Sequence, residues 1–178
     1  MADMRDRVKK DRGLIKNIEL AIPGFRGYRK REDLRIADSM LRLQLADKLK
    51  EEVKLPLEGA KEAVAKALNL DMMNDISDLV SKVDTLEAKI RHAEQGYSGI
   101  SPNYRIGEDQ LNVLYEYDWS MINIVHDLAD DSQNILSSAE FEDFSGMKSE
   151  CIKVKKKVLE FGKTFRDRHN TMADLGAF

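Results

Sequence analysis

The sequence predicts an all-α protein, an elongated antiparallel helical bundle with a long coiled-coil-like hairpin. Three observations support this fold class. Apolar residues recur at steps of three and four along most of the chain, as they do on one face of an amphipathic helix. Only 3 prolines and 10 glycines interrupt the 178 residues. No stretch alternates apolar and polar residues convincingly enough to predict a strand. We therefore expect a single helical domain over residues 1–178.

The first helix is predicted over residues 3–21. Its strongly charged first half predicts fraying over residues 1–12. A corner follows at residues 22–28, which we call the first corner, because proline lacks a backbone donor and glycine tolerates a positive φ. Its predicted structural residues are Pro23, Gly24, Gly27 and Tyr28, with Phe25 as a second aromatic.

The second helix is predicted over residues 29–55, with a leucine-rich stripe that includes Leu41, Leu45 and Leu49. Pro56 predicts a break or kink, because its ring clashes with the preceding helical turn. A short helix over residues 57–69 is expected after it.

The third and fourth helices are predicted over residues 71–94 and 108–138. The third carries the clearest heptad pattern in the chain, with β-branched residues alternating with leucine. Between the two helices lies a second corner, whose structural residues are Gly96, Tyr97 and Gly99. Each of the two helices has an apolar seam, the stripe that would face a partner helix. Because the seam of the fourth helix follows that of the third directly after this corner, we expect the two helices to form the hairpin. Asp118 falls on the seam, so it must be paired or close to water.

The fifth helix is predicted over residues 147–168, with a tail over residues 169–178. Cys151 lies on its apolar stripe, which favours a buried packing thiol over a reactive one. A single cysteine cannot form an internal disulfide, and a reducing cytoplasm is the simplest compartment for such a chain.

Charge is segregated along the chain. Residues 1–54 carry 15 basic and 10 acidic side chains, residues 55–147 carry 6 and 18, and residues 148–178 carry 8 and 4. The simplest use of this pattern is to pack the basic ends against the acidic middle. The alternative is a basic face for anionic lipid. The pI of about 5.7 disfavours a dedicated nucleic-acid binder, whose domain pI usually exceeds about 9.

Basic residues crowd the start of the second helix, directly after the first corner. Free N–H groups at a helix start attract phosphate or carboxylate, whereas cations there oppose the helix dipole. The crowding therefore predicts an anion at this position, which is either an external ligand or the acidic middle of the chain. The candidate anion-binding residues are Arg26, Arg29, Lys30, Arg31 and Arg35.

Catalytic and metal-binding patterns are weak. A ferritin-like di-metal bundle needs Glu-x-x-His on two helices, and none of His92, His126 and His169 has a glutamate three residues before it. Glycines of the first corner do not form a P-loop, since the Gly-Lys-Ser/Thr end is missing. The sequence thus predicts no catalytic residue, no metal site and no cofactor.

Two motifs resemble those of an uncharacterised prokaryotic family of helical proteins. One is the Ile-Pro-Gly-x-x-Gly-Tyr motif at residues 22–28, followed by Arg-x-x-Asp-x-x-Leu-Arg at residues 35–42. The other is Gly-Tyr-Ser-Gly at residues 96–99, followed by Leu-Tyr-Glu-Tyr-Asp at residues 114–118. The resemblance implies a helical fold and no known activity. The spacing of Arg35, Asp38 and Arg42 favours an ion-pair ladder along the helix.

We therefore interpret the chain as a non-enzymatic scaffold or adaptor that mediates protein–protein interaction or self-assembly. A protein partner or a homo-oligomer is expected. Two alternatives remain open. One is a peripheral binder of anionic membrane surfaces through the basic cluster, and the other is a small-molecule or metal enzyme that uses the polar residues Tyr115, Asp118 and His126.

Overall fold

The computed structural model describes the backbone of residues 4–25, 31–93 and 108–174 and the side chains of residues 13–25, 36–93 and 111–174. Within these ranges every regular element is helical, which confirms the predicted all-α class. The elements are α1 (Met4–Ala21), α2 (Arg31–Lys48), a π-helical segment (Leu49–Lys54), α3 (Leu55–Lys66), α4 (Leu70–Arg91), α5 (Glu108–Glu140) and α6 (Phe144–Asp174). No helix in this part of the chain is both long and apolar enough to cross a membrane.

Four rods build the bundle. The first rod is the continuous helix from Arg31 to Lys66, and the others are α4, α5 and α6. The first rod and α6 each lie beside both α4 and α5, while α1 packs along α5. Short turns at residues 67–69 and 141–143 join the first rod to α4 and α5 to α6. Such short connections make consecutive helices antiparallel neighbours.

Side-chain contacts between the rods fix their directions. Asp47 pairs with Arg91, while Lys54, further along the first rod, pairs with the earlier residue Asp84, so these two rods run antiparallel. In contrast, α4 and α6 run in the same direction. Asp78 of α4 pairs with Lys155 of α6 near one end of these two helices, and Leu86 of α4 lies beside Gly162 of α6 further along both.

The predicted hairpin partner is wrong. Within the described residues, no Cα of α4 lies within 8 Å of a Cα of α5, so the third and fourth predicted helices occupy diagonal corners of the bundle. The heptad pattern correctly marked the buried face of α4, where Ile76, Val83 and Ile90 are fully buried. That face meets the first rod and α6 instead, because periodicity identifies a buried face but not the helix that covers it.

Of the break or kink predicted at Pro56, the structure shows no break. The chain remains helical through this residue. The π-helical turn directly before it is wider than an α-helical turn, and the backbone N–H of Leu55 donates a hydrogen bond to the carbonyl of Lys50. Proline lacks the donor that an α-helix would use here, and a π-bulge is one of the ways in which a helix accommodates that loss. Leu49, Val53 and Leu57 stay fully buried across the junction, so core packing continues without interruption.

Apolar stripes of all the rods meet in one core. The stripe of α6 includes Met147, Cys151, Val154, Val158 and Phe161, as the spacing predicts. However, α6 continues beyond residue 168 to Asp174, where a tail was expected. The reason is that Arg168 and Met172 extend the same buried stripe.

Candidate functional site

The described half of the first corner packs tightly onto the bundle. Gly24 adopts a φ of +87°, and a Cβ on it would lie 2.7 Å from Cε of Met40. Gln44 donates a hydrogen bond of 3.1 Å to the Pro23 carbonyl. The rings of Phe25 and Tyr115 form an edge-on pair with centroids 6.4 Å apart. This half of the corner therefore anchors the end of α1 to α2 and α5, which is the architectural role that the sequence predicts.

The predicted anion site falls outside the described residues. Arg26, Arg29 and Lys30 lie in the stretch 26–30, and Arg31 and Arg35 belong to α2 with side chains beyond the described set. Anion binding at this cluster remains a prediction.

The remaining corner residues also lie outside the described part of the chain. Gly27 and Tyr28 belong to the stretch 26–30, and Gly96, Tyr97 and Gly99 belong to the stretch 94–107. Their predicted structural roles therefore stay predictions.

A cluster of buried charges lies in the core toward one end of the bundle, near the start of α2 and the ends of α4 and α6, and we call it the charge cluster. It consists of Asp38, Arg42, Asp118 and Arg168, all less than a tenth exposed. The Arg168 guanidinium donates from Nε to Oδ1 of Asp118 at 2.5 Å and from Nη1 to Oδ1 of Asp38. Arg42 donates from Nε to the other oxygen of Asp38 at 2.8 Å.

The charge cluster joins all four rods. Asp38 and Arg42 come from α2, Asp118 from α5 and Arg168 from α6. Arg42 also donates a 3.1 Å hydrogen bond to the carbonyl of Ile90, near the end of α4. Among the described residues, the charge cluster contains two carboxylates and two guanidiniums, whose charges balance. Breaking such a buried cluster is costly, because removing one partner leaves an uncompensated charge in the core.

Two expectations are confirmed at the charge cluster, and one residue was missed. Asp118 is paired, as its seam position required, and the Asp38–Arg42 step of the predicted ladder is formed. The sequence interpretation did not place Arg168 in the core. A signal was present, because the apolar steps of three and four in α6 pass from Phe161 through Phe165 to Arg168 and Met172. A charged residue that continues an apolar stripe indicates a buried partner.

An open groove runs along the surface between the parallel helices α4 and α6, and we call it the α4–α6 groove. It has a volume of about 770 Å³. Its lining residues on α4 and just after it are Ser81, Lys82, Thr85, Leu86, Lys89 and Ala93. Those on α6 are Val158, Leu159, Gly162, Phe165, Arg166, His169 and Asn170. Sequence reasoning missed this groove, since its two walls lie far apart along the chain.

The floor of the α4–α6 groove is apolar and its rim is cationic. Leu86, Val158 and Phe165 are buried or half-buried. Leu159 is 68% exposed, although it is a large apolar residue. Gly162 keeps the groove open, because it has no side chain beside Leu86, whose Cδ1 would lie 4.0 Å from an added Cβ.

Ion pairs close the groove at the end nearer the start of α4. Lys155 bonds Asp78 at 2.9 Å, and Lys82 bonds the same carboxylate. Hydrogen bonds from Lys82 and then Lys155 lower the pKa of Asp78 below its ordinary value. The hydrogen bond that Lys155 donates to Asp78 raises the pKa of Lys155. The Lys155–Asp78 pair and the 2.7 Å pair between Lys157 and Asp131 confirm the predicted packing for the basic C-terminal stretch, residues 148–178, against the acidic middle.

Cys151 is a packing residue, as predicted. It is 2% exposed, and burial raises the pKa of its thiol to about 11. A thiol with so high a pKa remains protonated at neutral pH and is a poor nucleophile.

Metal ligands do not gather in the described part of the chain, where no group of three or more histidine, cysteine or acidic side chains is placed to hold an ion. His126 lies on the outer face of α5, with Nδ1 3.4 Å from a carboxylate oxygen of Asp130 and both side chains largely exposed. Of the polar residues of the enzyme alternative, Tyr115 and Asp118 are both buried on α5, three residues apart, whereas His126 faces solvent.

Comparison with protein-family models, with curated proteins and with solved structures found no match. The resemblance to a helical prokaryotic family therefore stays a prediction from the motifs. Any functional assignment depends on the geometry of this chain.

Proposed function

We propose that this protein is a non-enzymatic adaptor whose α4–α6 groove holds a segment of a partner protein. The observation that carries the proposal is the combination of an apolar floor, an exposed Leu159 and a cationic rim in one open groove. Apolar grooves on a protein surface are one of the recurring sites that hold a segment of a partner protein.

The charge cluster supports a framework role for the rest of the molecule. Asp38 and Asp118 are both bonded to arginines in the closed interior of the bundle. Carboxylates held in this way fix the positions of helices and are not presented to a substrate. The bundle thus serves as a rigid support for the groove on its surface.

The proposal is tested by site-specific photocrosslinking in the native host. A benzoylphenylalanine in place of Leu159 lies in the groove, and the same residue in place of Val113, on α5, is a matched control, since Val113 is also apolar and exposed. We expect a discrete product from position 159 and none from position 113. A product with a partner or with a second copy supports the adaptor or its self-assembly. Absence of any product from position 159 would contradict the proposal.

A further inference from the structure

We infer that the segment bound in the α4–α6 groove is an amphipathic helix with acidic residues on both flanks. This inference rests on the proposed function and adds the chemistry of the partner. It is carried by the shape of the groove, by its apolar floor and by the charges on its rim.

The shape of the groove fits a helix of about three turns. Its walls extend from Ser81 to Ala93 and from Val158 to Asn170, which at 1.5 Å per residue is about 18 Å on each side. A helix of about twelve residues spans the same length.

Each wall includes at least one small residue, which leaves room for a third helix to approach. Ser81, Thr85 and Ala93 lie on one wall and Gly162 on the other. Close packing of helices at 8–10 Å requires such small residues or matching ridges at the contact. The apolar floor would receive residues spaced i, i+3, i+4 and i+7 from the bound helix, as in other helix-in-groove complexes.

The positive charges on the rim of the groove favour a bound helix with acidic residues on its flanks. Among the described residues, the lining includes Lys82, Lys89 and Arg166 and no aspartate or glutamate. Lys82 already shares Asp78 with Lys155. Lys89 and Arg166 are exposed, and the described residues offer neither of them an ion pair. Complementary charges across an interface increase the rate of association and exclude wrong partners.

An acidic helical peptide tests this inference. The probe is a fluorescent peptide of about twelve residues, with leucines at i, i+3, i+4 and i+7 and glutamates on the flanks. The control peptide replaces each glutamate with lysine. Fluorescence anisotropy should show binding of the acidic peptide at least about tenfold tighter, and raising NaCl from about 50 to about 300 mM should weaken it.

Protein variants locate the binding. Lys89→Glu combined with Arg166→Glu should weaken binding of the acidic peptide at least about tenfold. The matched control is Lys156→Glu, an exposed lysine of α6 outside the groove lining, which should change binding less than about twofold. Circular dichroism should show the same helical content in all variants.

Failure of the inference is distinguishable from failure of the adaptor function. No binding of the acidic peptide, equal binding of both peptides or equal effects of the groove and control variants would overturn the acidic-helix inference. If position 159 still crosslinks to a partner in that case, the adaptor function stands and its partner has a different chemistry. If position 159 gives no product either, both proposals fail.

Discussion

Arg168 and Asp118, 50 residues apart in sequence, form an ion pair in the core, with Nε of the arginine 2.5 Å from Oδ1 of the aspartate. The same guanidinium bonds Asp38 and also lies 2.9 Å from the sulfur of Met172. One side chain thus connects α6 to both α2 and α5. We expect the pair to select this helix register, because a shifted register would bury an unpaired charge.

The first prediction concerns loss of the central arginine. Arg168→Met should lower the free energy of unfolding by about 3–5 kcal/mol, because Asp118 loses its arginine while remaining buried. Arg42 would still bond Asp38. Urea denaturation followed by circular dichroism measures the change, and a loss smaller than about 1 kcal/mol would contradict a central role for this residue.

The second prediction concerns coupling between the two charges. Asp118→Leu combined with Arg168→Met removes one charge of each sign and leaves the balanced Asp38–Arg42 pair. The double variant should therefore be more stable than the sum of the single losses implies, by at least about 1.5 kcal/mol. Strictly additive losses in the double-mutant cycle would show that Asp118 and Arg168 act independently.

The third prediction compares two glycines. Gly24→Ala should destabilise the protein by about 1–2 kcal/mol, because a side chain is strained at a φ of +87° and would also displace Met40. Gly13→Ala should instead stabilise it by up to about 1 kcal/mol, since Gly13 lies within α1 and has nothing within 4 Å of an added Cβ. Thermal unfolding should show opposite shifts. Shifts of the same sign would be inconsistent with this account of the first corner.

The fourth prediction concerns a buried hydroxyl. Ser132 is fully buried on α5, and its Oγ has no hydrogen-bond partner among the described residues. Ser132→Ala should therefore raise the free energy of unfolding by about 1 kcal/mol relative to the control Ser137→Ala at an exposed position of the same helix. A lower stability than the control would indicate that the hydroxyl is bonded in solution.

The fifth prediction concerns pH. Because the pKa of Asp78 is lowered from 3.8 in the fold, its contribution to stability is present above pH 3.8 and disappears as the pH falls through the folded value. Because the pKa of Lys155 is raised from 10.5, its contribution is present below pH 10.5 and disappears as the pH rises through the folded value.

Carboxyl NMR measures this effect directly. Asp78 should titrate below 3.8 in the native protein, and its pKa should rise when Lys82 and Lys155 are both replaced by methionine. A native pKa at or above 3.8 would show that these lysines do not engage the carboxylate in solution.

The spacing of apolar residues was sufficient to predict the helices and their buried faces. Ile76, Val83 and Ile90 are buried on α4, and Met147 and Phe161 are buried on α6, because burial of an amphipathic face dominates helix stability. Spacing alone could not predict which faces meet. An apolar stripe marks a buried face, but it does not encode which helix covers that face.

Local rules failed where tertiary packing overrides them. Proline usually ends a helix, but burial of Val53 and Leu57 on either side of Pro56 keeps this one continuous. Charged residues usually face water, but Arg168 finds two carboxylates in the core. The α4–α6 groove could not be predicted either, since it arises from the spacing of two helices and the absence of a side chain at Gly162.

The central claim is that the α4–α6 groove binds a partner protein. Blocking the groove is the most direct test. Gly162→Leu places a side chain in the groove beside Leu86, while Gly13→Leu adds the same side chain to an exposed helix position with nothing within 4 Å. Photocrosslinking from position 159 should be lost in the Gly162→Leu variant and retained in the Gly13→Leu variant. An unchanged product in the Gly162→Leu variant, with native helical content, would contradict the account.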